Sequence, residues 1–164
     1  MCNLFGIKPF SSSLNISLGR IKQSFVLTDH SLPDMPIVYA SDAFLKLTGY
    51  TRNQVLGCNC RVLDGPDTDN ETLSQIQENI NHEKACSVRI LNYRKDGTKF
   101  WNLLCISPVR NATGKIAFYI WVQIDEASND GPQGLSPHMI QLATVGAVKV
   151  AIRTLPSEPG HSKS

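Results

Sequence analysis

Three carboxamide side chains fall on strand-like segments at positions that share one face of a sheet. Asn92, Asn102 and Gln123 each alternate with apolar residues, and side chains two positions apart lie on the same side of a strand. A buried carboxamide without partners costs about 1–3 kcal/mol. Three of them on one apolar wall predict a flat heteroaromatic guest with N–H and C=O edges rather than an aliphatic one. Amides that lie at strand ends in water are the alternative.

The loop of residues 57–69 carries two thiols and a cation, Cys58, Cys60 and Arg61. A zinc site is not expected, because no second cysteine pair stands at ligand spacing. A cysteine nucleophile needs a histidine and an orienting acid, and none of the four histidines lies in a supporting motif. On spacing alone, a buried structural cysteine is the favoured interpretation.

The segments that must position these residues follow an α+β pattern. Hydrophobic periodicity, caps and turn residues predict the elements and their order. They are an opening hairpin over residues 25–28 and 37–40, helices over 43–48, 51–57 and 71–82, and an antiparallel meander over 88–93, 100–107 and 116–124. The predicted division is a lead-in at 1–23, a domain at 24–125, a linker at 126–135, and a helical or strand segment with a disordered end at 136–164.

The opposite face of the late strands is apolar as well, and such a stripe needs a cover. Its members are Trp101, Leu103, Cys105, Phe118, Ile120 and Val122. The segment after Ser136 is the simplest cover, because Pro137 follows a capping serine and a broad apolar face follows both. A partner protein or a second copy of the chain, forming a homodimer, is the other.

Composition restricts the classes of protein to consider. The chain has 164 residues, enough for one domain with flanking segments, and its formal charge of +2 argues against nucleic acid as a partner. No apolar run approaches the roughly 20 residues that span a membrane, and no secretory signal is evident. We therefore expect a cytoplasmic or nuclear protein. The odd count of five cysteines predicts reduced thiols.

Residues 59–63 (NCRVL) and 65–69 (GPDTD) resemble the signature of LOV domains, the flavin-binding blue-light sensors of the PAS fold. Matching segments extend over roughly residues 24–125, and the tail is most similar to the PAS/LOV or twin-LOV proteins of plants. The resemblance implies a five-stranded antiparallel sheet with helices on one face and FMN between them. It also implies that blue light drives reversible addition of the Cys60 thiol to the flavin.

The same resemblance implies a set of cofactor-binding residues. Asn92 and Asn102 would bond the pyrimidine edge of the ring, Gln123 would lie near N5, and Arg61 would meet the phosphate. The full set comprises Asn59, Arg61, Asp64, Gln77, Asn92, Asn102, Leu104, Trp121 and Gln123.

Three residues depart from the family pattern. Asp64 replaces a glutamine, and Gln77 replaces a second phosphate-contacting arginine, so the expected cofactor is FMN with riboflavin as an alternative. Trp121 stands where the family has glycine, and an indole there is expected to crowd the ring.

The resulting hypothesis is a photoreceptor without substrate turnover, in which the cysteinyl adduct changes the docking of the tail or of a protein partner. The alternative is a flavin-free PAS interaction module in which Trp121 fills the pocket.

Overall fold

Five antiparallel strands form one sheet in the computed structural model of the chain, which describes residues 2–128 and 134–153. The strand order is β2-β1-β5-β4-β3. The strands are β1 Phe25–Thr28, β2 Ile37–Ala40, β3 Cys86–Tyr93, β4 Lys99–Arg110 and β5 Ile116–Asp125. The helices are α1 Ser12–Gly19, α2 Asp42–Thr48, α3 Arg52–Val55, α4 Asn70–Asn81 and α5 Pro137–Arg153, with a 3₁₀ turn at Cys60–Leu63. The predicted α+β class and the antiparallel PAS sheet are confirmed.

Local signals explain where the helices begin and end. The Ser41 hydroxyl accepts from the Phe44 N–H, and Gly49 ends α2 with a φ of 82°, a left-handed conformation that suits glycine. Asp69 caps α4 by accepting from the Thr72 N–H at 3.1 Å. These caps fix the angle at which each helix leaves the sheet and therefore where its apolar face packs.

The helices between β2 and β3 pack on one face of the sheet, which we call the inner face. One buried residue from each element shows this arrangement: Phe44 of α2, Val55 of α3, Leu63 of the 3₁₀ turn and Ile76 of α4. They form one core with alternate residues of the strands, including Ile90, Leu104, Ile106, Tyr119 and Trp121. The inner face is the one to which the predicted amides belong.

Helices α1 and α5 cover the other face, which we call the outer face. Val145, Val148 and Ile152 of α5 pack in one cluster with Leu14 and Leu18 of α1. The same cluster includes Cys105, Ile120 and Val122 of the predicted apolar stripe. The segment after Ser136 is therefore a helix that supplies the expected cover, together with a helix from the predicted lead-in.

The end of the apolar stripe near Trp101 is more exposed than its centre. The Trp101 side chain is 41% exposed, and the Arg89 guanidinium lies 3.8 Å from the centroid of its ring. Residues 129–133 of the predicted linker and residues 154–164, which include the end predicted to be disordered, lie outside the described residues.

The prediction of five reduced thiols is wrong for two of them, because Cys2 and Cys58 form a disulfide. Their Cα atoms are 4.9 Å apart although 56 positions separate them in the sequence. The close approach depends on Gly57, which has a φ of 85°, since a Cβ there would lie 2.5 Å from the Asn3 carbonyl oxygen. Cys60, Cys86 and Cys105 are free. Cysteine spacing could not reveal this contact because it is made by folding.

Candidate functional site

A cavity of about 920 Å³ lies between the inner face of the sheet and the segment containing the 3₁₀ turn and α4. This volume is at the upper end of the range of about 300–1,000 Å³ that is usual for small-molecule sites. All ten residues of the predicted site line it. They are Asn59, Cys60, Arg61, Asp64, Gln77, Asn92, Asn102, Leu104, Trp121 and Gln123.

Asn92 and Asn102 are almost fully buried, with 3% and 1% of their surface exposed. The Asn102 amide nitrogen donates to Asn92 Oδ1 at 2.9 Å, and the Asn92 amide nitrogen donates to Asp64 Oδ1 at 3.3 Å. Asn102 Oδ1 is buried and has no hydrogen-bond partner among the described residues. The row of polar groups therefore ends in an unused acceptor on the cavity wall, which a donor on a ligand can satisfy.

Gln123, by contrast, has protein partners at both ends of its amide. Its Oε1 accepts from the Ser24 hydroxyl at 2.8 Å, and its Nε2 donates to the Trp121 carbonyl oxygen at 3.0 Å. The side chain is 2% exposed. These bonds fix its present orientation, and a rotation of the amide would break both of them.

The Trp121 indole lies along the wall and does not fill the cavity. Its Nε1 donates to Thr28 Oγ1 at 2.9 Å, so the ring is held against β1. With the indole in this position the cavity has a volume of about 920 Å³. The indole therefore does not fill the pocket as the alternative hypothesis supposes, because a hydroxyl on the neighbouring strand holds the ring at the wall.

Cys60 begins the 3₁₀ turn, and the turn is capped by Asn59, whose Oδ1 accepts from the Arg61 N–H at 2.9 Å. Burial raises the pKa of the Cys60 thiol far above its ordinary value, and the charge of Asp64 raises it further, while Arg61 opposes both. The thiol is therefore protonated at neutral pH and is a poor nucleophile by itself.

Asp64 is the carboxylate that accepts from the Asn92 amide. Burial raises its pKa to about 6, whereas the hydrogen bond from Asn92 and the charge of Arg61 act in the opposite direction. The carboxyl group consequently changes its ionisation at mildly acidic pH, next to the cavity.

The remaining polar residues of the predicted set are engaged with protein groups. Arg61 Nη2 donates to both oxygens of the Asp34 carboxylate, at 2.9 and 2.8 Å. The Asn59 amide nitrogen donates to the Asp34 carbonyl oxygen at 2.7 Å, and the Gln77 amide nitrogen donates to Asn81 Oδ1 at 2.8 Å. These three side chains lie at the cavity, but their polar ends are used within the chain.

Sequence reasoning missed Ser24, Thr28 and Asp34. The first two could have been found, because residues 24, 26 and 28 alternate onto the inner face together with buried Val26. Asp34 lies in an irregular loop with a φ of 64°, and no periodicity points to it. Apolar lining residues also missed include Met35, Leu73, Ile76, Ile80 and Ile90.

Neither a metal-binding cluster nor a membrane-spanning helix lies in the part of the chain that the structure describes. It contains no group of three or more His, Cys, Asp or Glu residues that could hold a metal ion. None of its helices is long and apolar enough to cross a membrane.

Comparison with known proteins identifies the family. Residues 22–127 match the PAS domain. Protein TWIN LOV 1 of Arabidopsis thaliana is 58% identical over 154 residues, which are 92% of this chain and 39% of that protein. Phototropin-2 of Oryza sativa subsp. japonica is 46% identical over 119 residues, 73% of this chain and 13% of that protein. The chain thus spans well under half of the length of either relative.

A solved structure shows the same relationship in three dimensions. The dark structure of the blue-light photoreceptor Aureochrome1 LOV superimposes with a TM-score of 0.61 and 43% identity, covering 83% of this chain and 92% of the solved one. Because the two sequences are 43% identical, this similarity indicates a shared family as well as a shared fold. The chain described here therefore belongs to the PAS domain family and, within it, to the LOV domains.

Proposed function

We propose that this domain senses blue light with a flavin held in the central cavity and with Cys60 as its photoactive thiol. The observation that carries the proposal is the unpaired, buried Asn102 Oδ1 in the cavity that Cys60 also lines. An unsatisfied buried acceptor costs about 1–3 kcal/mol, so a ring N–H that bonds to it would remove that cost. Neither an aliphatic ligand nor an apolar plug would do so.

The lining suits a flat heteroaromatic ring. Leu104 and Ile90 give apolar surface for the ring faces, and Asn92 and Asn102 provide amide edges on the same wall. A bound flavin supplies the absorption of blue light and the electrophilic ring carbon to which a thiol can add. The residues that the structure describes are compatible with such a guest, because the Trp121 indole leaves the cavity open.

Cys60 contributes a thiol that does not react in darkness. Because burial keeps its pKa high, the sulfur retains its proton and does not attack electrophiles unaided. A reaction at this sulfur therefore requires an activated partner, which is what a light-driven switch needs. The high pKa also argues against a hydrolase role, and we infer that the domain turns over no substrate.

The signal would leave the cavity through β5. Gln123 lies on the inner face, and the neighbouring Val122 carbonyl oxygen accepts at 3.4 Å from Gln141 of α5 on the outer face. Gln141 also donates to the Leu103 carbonyl oxygen at 2.8 Å. A rearrangement of the Gln123 amide, with loss of its bonds to Ser24 and Trp121, would thus act on the strand to which α5 is docked.

The output would be an altered docking of α5 or of a protein partner. In the described structure α1 and α5 cover the outer face, so a partner that needs this face must displace one of them. Displacement of α5 would expose Val145, Val148 and Ile152 together with the strand residues beneath them. The displaced helix would thus free this surface for a protein partner.

The absorption spectrum of the purified chain tests the proposal. A structured band at about 450 nm that bleaches under blue light and returns in darkness is expected for a bound flavin with an accessible thiol. Cys60→Ala should keep the band and abolish the bleaching, while Cys86→Ala, which removes a free thiol outside the cavity lining, should leave both unchanged. A chain that binds no added flavin contradicts the proposal.

The second candidate is a flavin-free PAS interaction module, in which the Trp121 indole would leave its bond to Thr28 and occupy the cavity that it lines. Trp121→Gly separates the two candidates, because glycine at this position enlarges the cavity. If the wild-type chain takes up no flavin and the variant does, the native domain is an interaction module. Flavin uptake by both proteins excludes that candidate.

A further inference from the structure

The charged side chains along the cavity are predominantly acidic. Among the described residues that line it, three carry carboxylates, Asp34, Asp64 and Glu83, and one carries a guanidinium, Arg61. Glu83 lies 3.5 Å from Arg110, which is not a lining residue and offsets part of that charge. The cavity thus offers an anionic guest more repulsion than attraction.

The one guanidinium among the described lining residues, that of Arg61, is paired with a carboxylate. Arg61 Nη2 contacts both oxygens of the Asp34 carboxylate, at 2.9 and 2.8 Å. Asp34 is itself held in place, because its carbonyl oxygen accepts from the Asn59 amide at 2.7 Å. An incoming anion would have to compete with a carboxylate that the fold delivers to Arg61.

Helix α4 supplies no Lys or Arg that could offset the acidic side chains of the cavity. Gln77, at the wall of the cavity, is neutral, and its amide nitrogen donates to Asn81. A phosphate monoester carries a charge of about −1.5 to −2 at neutral pH, and it is most favourable where free Arg or Lys donors surround it. The described lining provides one such residue, Arg61, and its Nη2 is already bonded to Asp34.

Given the flavin binding proposed above, on which this step rests, we infer that the cavity accepts the unphosphorylated flavin, riboflavin, at least as tightly as FMN. Asp34 is the specificity-determining residue, because its carboxylate pairs with Arg61 and competes with a phosphate for the one guanidinium among the described lining residues. Riboflavin has the same ring system as FMN, which the Asn92 and Asn102 amides would bind. It carries no charge that would lie beside the acidic side chains of the cavity.

Titration of the flavin-free full chain with riboflavin and with FMN, followed by flavin fluorescence, tests the inference. We expect a dissociation constant for riboflavin equal to or lower than that for FMN. The preference for riboflavin should weaken as salt is raised from about 0.01 M to 1 M, because the screening length falls from about 30 to 3 Å. FMN binding that is more than about threefold tighter than riboflavin binding in wild type overturns the inference.

Asp34→Asn provides the decisive variant. Asparagine tolerates the left-handed backbone at this position, where φ is 64°, and has the same side-chain length as aspartate. The change removes the negative charge that pairs with Arg61 and keeps the carbonyl that accepts from Asn59. The ratio of FMN to riboflavin affinity should rise about tenfold. Asp42→Asn is the matched control, because it breaks the Asp42–Arg52 pair, which is remote from the cavity lining, with the same change of charge. An unchanged ratio in Asp34→Asn contradicts the role given to Asp34.

The outcomes also separate this inference from the proposed function. Binding of neither flavin contradicts the proposed function, and the inference falls with it. Binding of both, with FMN clearly tighter, leaves the light-sensing proposal intact and overturns only the specificity assigned here.

Discussion

The indole Nε1 of Trp121 donates to Thr28 Oγ1 over 2.9 Å, and this bond joins β5 to β1 on the wall of the cavity. The two residues are 93 positions apart, yet the pairing of β1 with β5 brings their strands side by side. The bond satisfies a buried N–H and also decides where the largest side chain of the wall lies. In the sequence, Trp121 is large enough to block the pocket, but this bond holds its ring so that the cavity stays open.

Thr28→Val should destabilise the fold by removing the acceptor of the indole while keeping the shape of the side chain. A buried N–H left without a partner costs about 1–3 kcal/mol, so the urea midpoint should fall accordingly. In a Trp121→Phe background the same change should cost clearly less, since no indole N–H remains. An equal cost in both backgrounds contradicts the importance of this bond.

Asp64 should make stability depend on mildly acidic pH. The pKa is about 6 in the folded chain against an ordinary value of 3.8, so the folded state holds the proton more tightly. The resulting stabilisation is fully present below pH 3.8 and is lost as pH rises through about 6. For this half-buried group we expect a loss of about 1–2 kcal/mol after solvent screening is allowed for.

Asp64→Asn should remove this pH dependence and stabilise the chain at neutral pH, because the amide oxygen still accepts from Asn92. Urea unfolding at several pH values between 4 and 7 measures it. Glu78→Gln, on an exposed position of α4, is the control and should leave the pH profile as it is in wild type. A profile of Asp64→Asn that parallels wild type would show that burial of this carboxyl is not responsible.

The Cys2–Cys58 disulfide should stabilise the folded chain against denaturant. A crosslink that closes a loop of this length, with a separation of 56 positions, is worth about 2–4 kcal/mol. Addition of a reductant should therefore lower the guanidinium midpoint of wild type and leave that of Cys2→Ser unchanged. Identical midpoints for the oxidised and reduced wild-type chain would show that the bond contributes nothing.

Gln141→Leu should loosen the docking of α5. The variant keeps an apolar contact but loses the bonds to the Leu103 and Val122 carbonyl oxygens, worth about 1 kcal/mol together or roughly a fivefold change in local opening. Hydrogen exchange of the α5 amides should accelerate by that factor. Leu142→Ala, on the exposed side of the same helix, should not change the exchange rates.

The sheet and most helix ends could be predicted from the sequence, because their signals are local. Alternation on β3, β4 and β5 assigned Asn92, Asn102 and Gln123 to one side of the sheet, and the structure places all three at the cavity with exposures of 3% or less. Ser41 and Gly49 mark the ends of α2 by capping chemistry alone. Such features need no knowledge of distant contacts.

Features that depend on the meeting of distant segments were not predictable in the same way. The disulfide requires the N-terminal segment to pass over Gly57, and nothing in the cysteine spacing indicates that path. The engagement of Arg61 by Asp34 depends on an irregular loop without periodicity. Similarly, the orientation of the Trp121 indole depends on a hydroxyl of another strand.

Two neighbouring residues of β5 serve opposite faces of the sheet. The Gln123 side chain lies on the inner face, and the Val122 carbonyl oxygen accepts from Gln141 of α5 on the outer face. Reciprocity then applies: if filling the cavity weakens the hold of α5 by some factor, removal of α5 must strengthen retention of the guest by that same factor. Truncation before Pro137 would therefore report on the coupling in darkness, without any illumination, as a shift in ligand affinity.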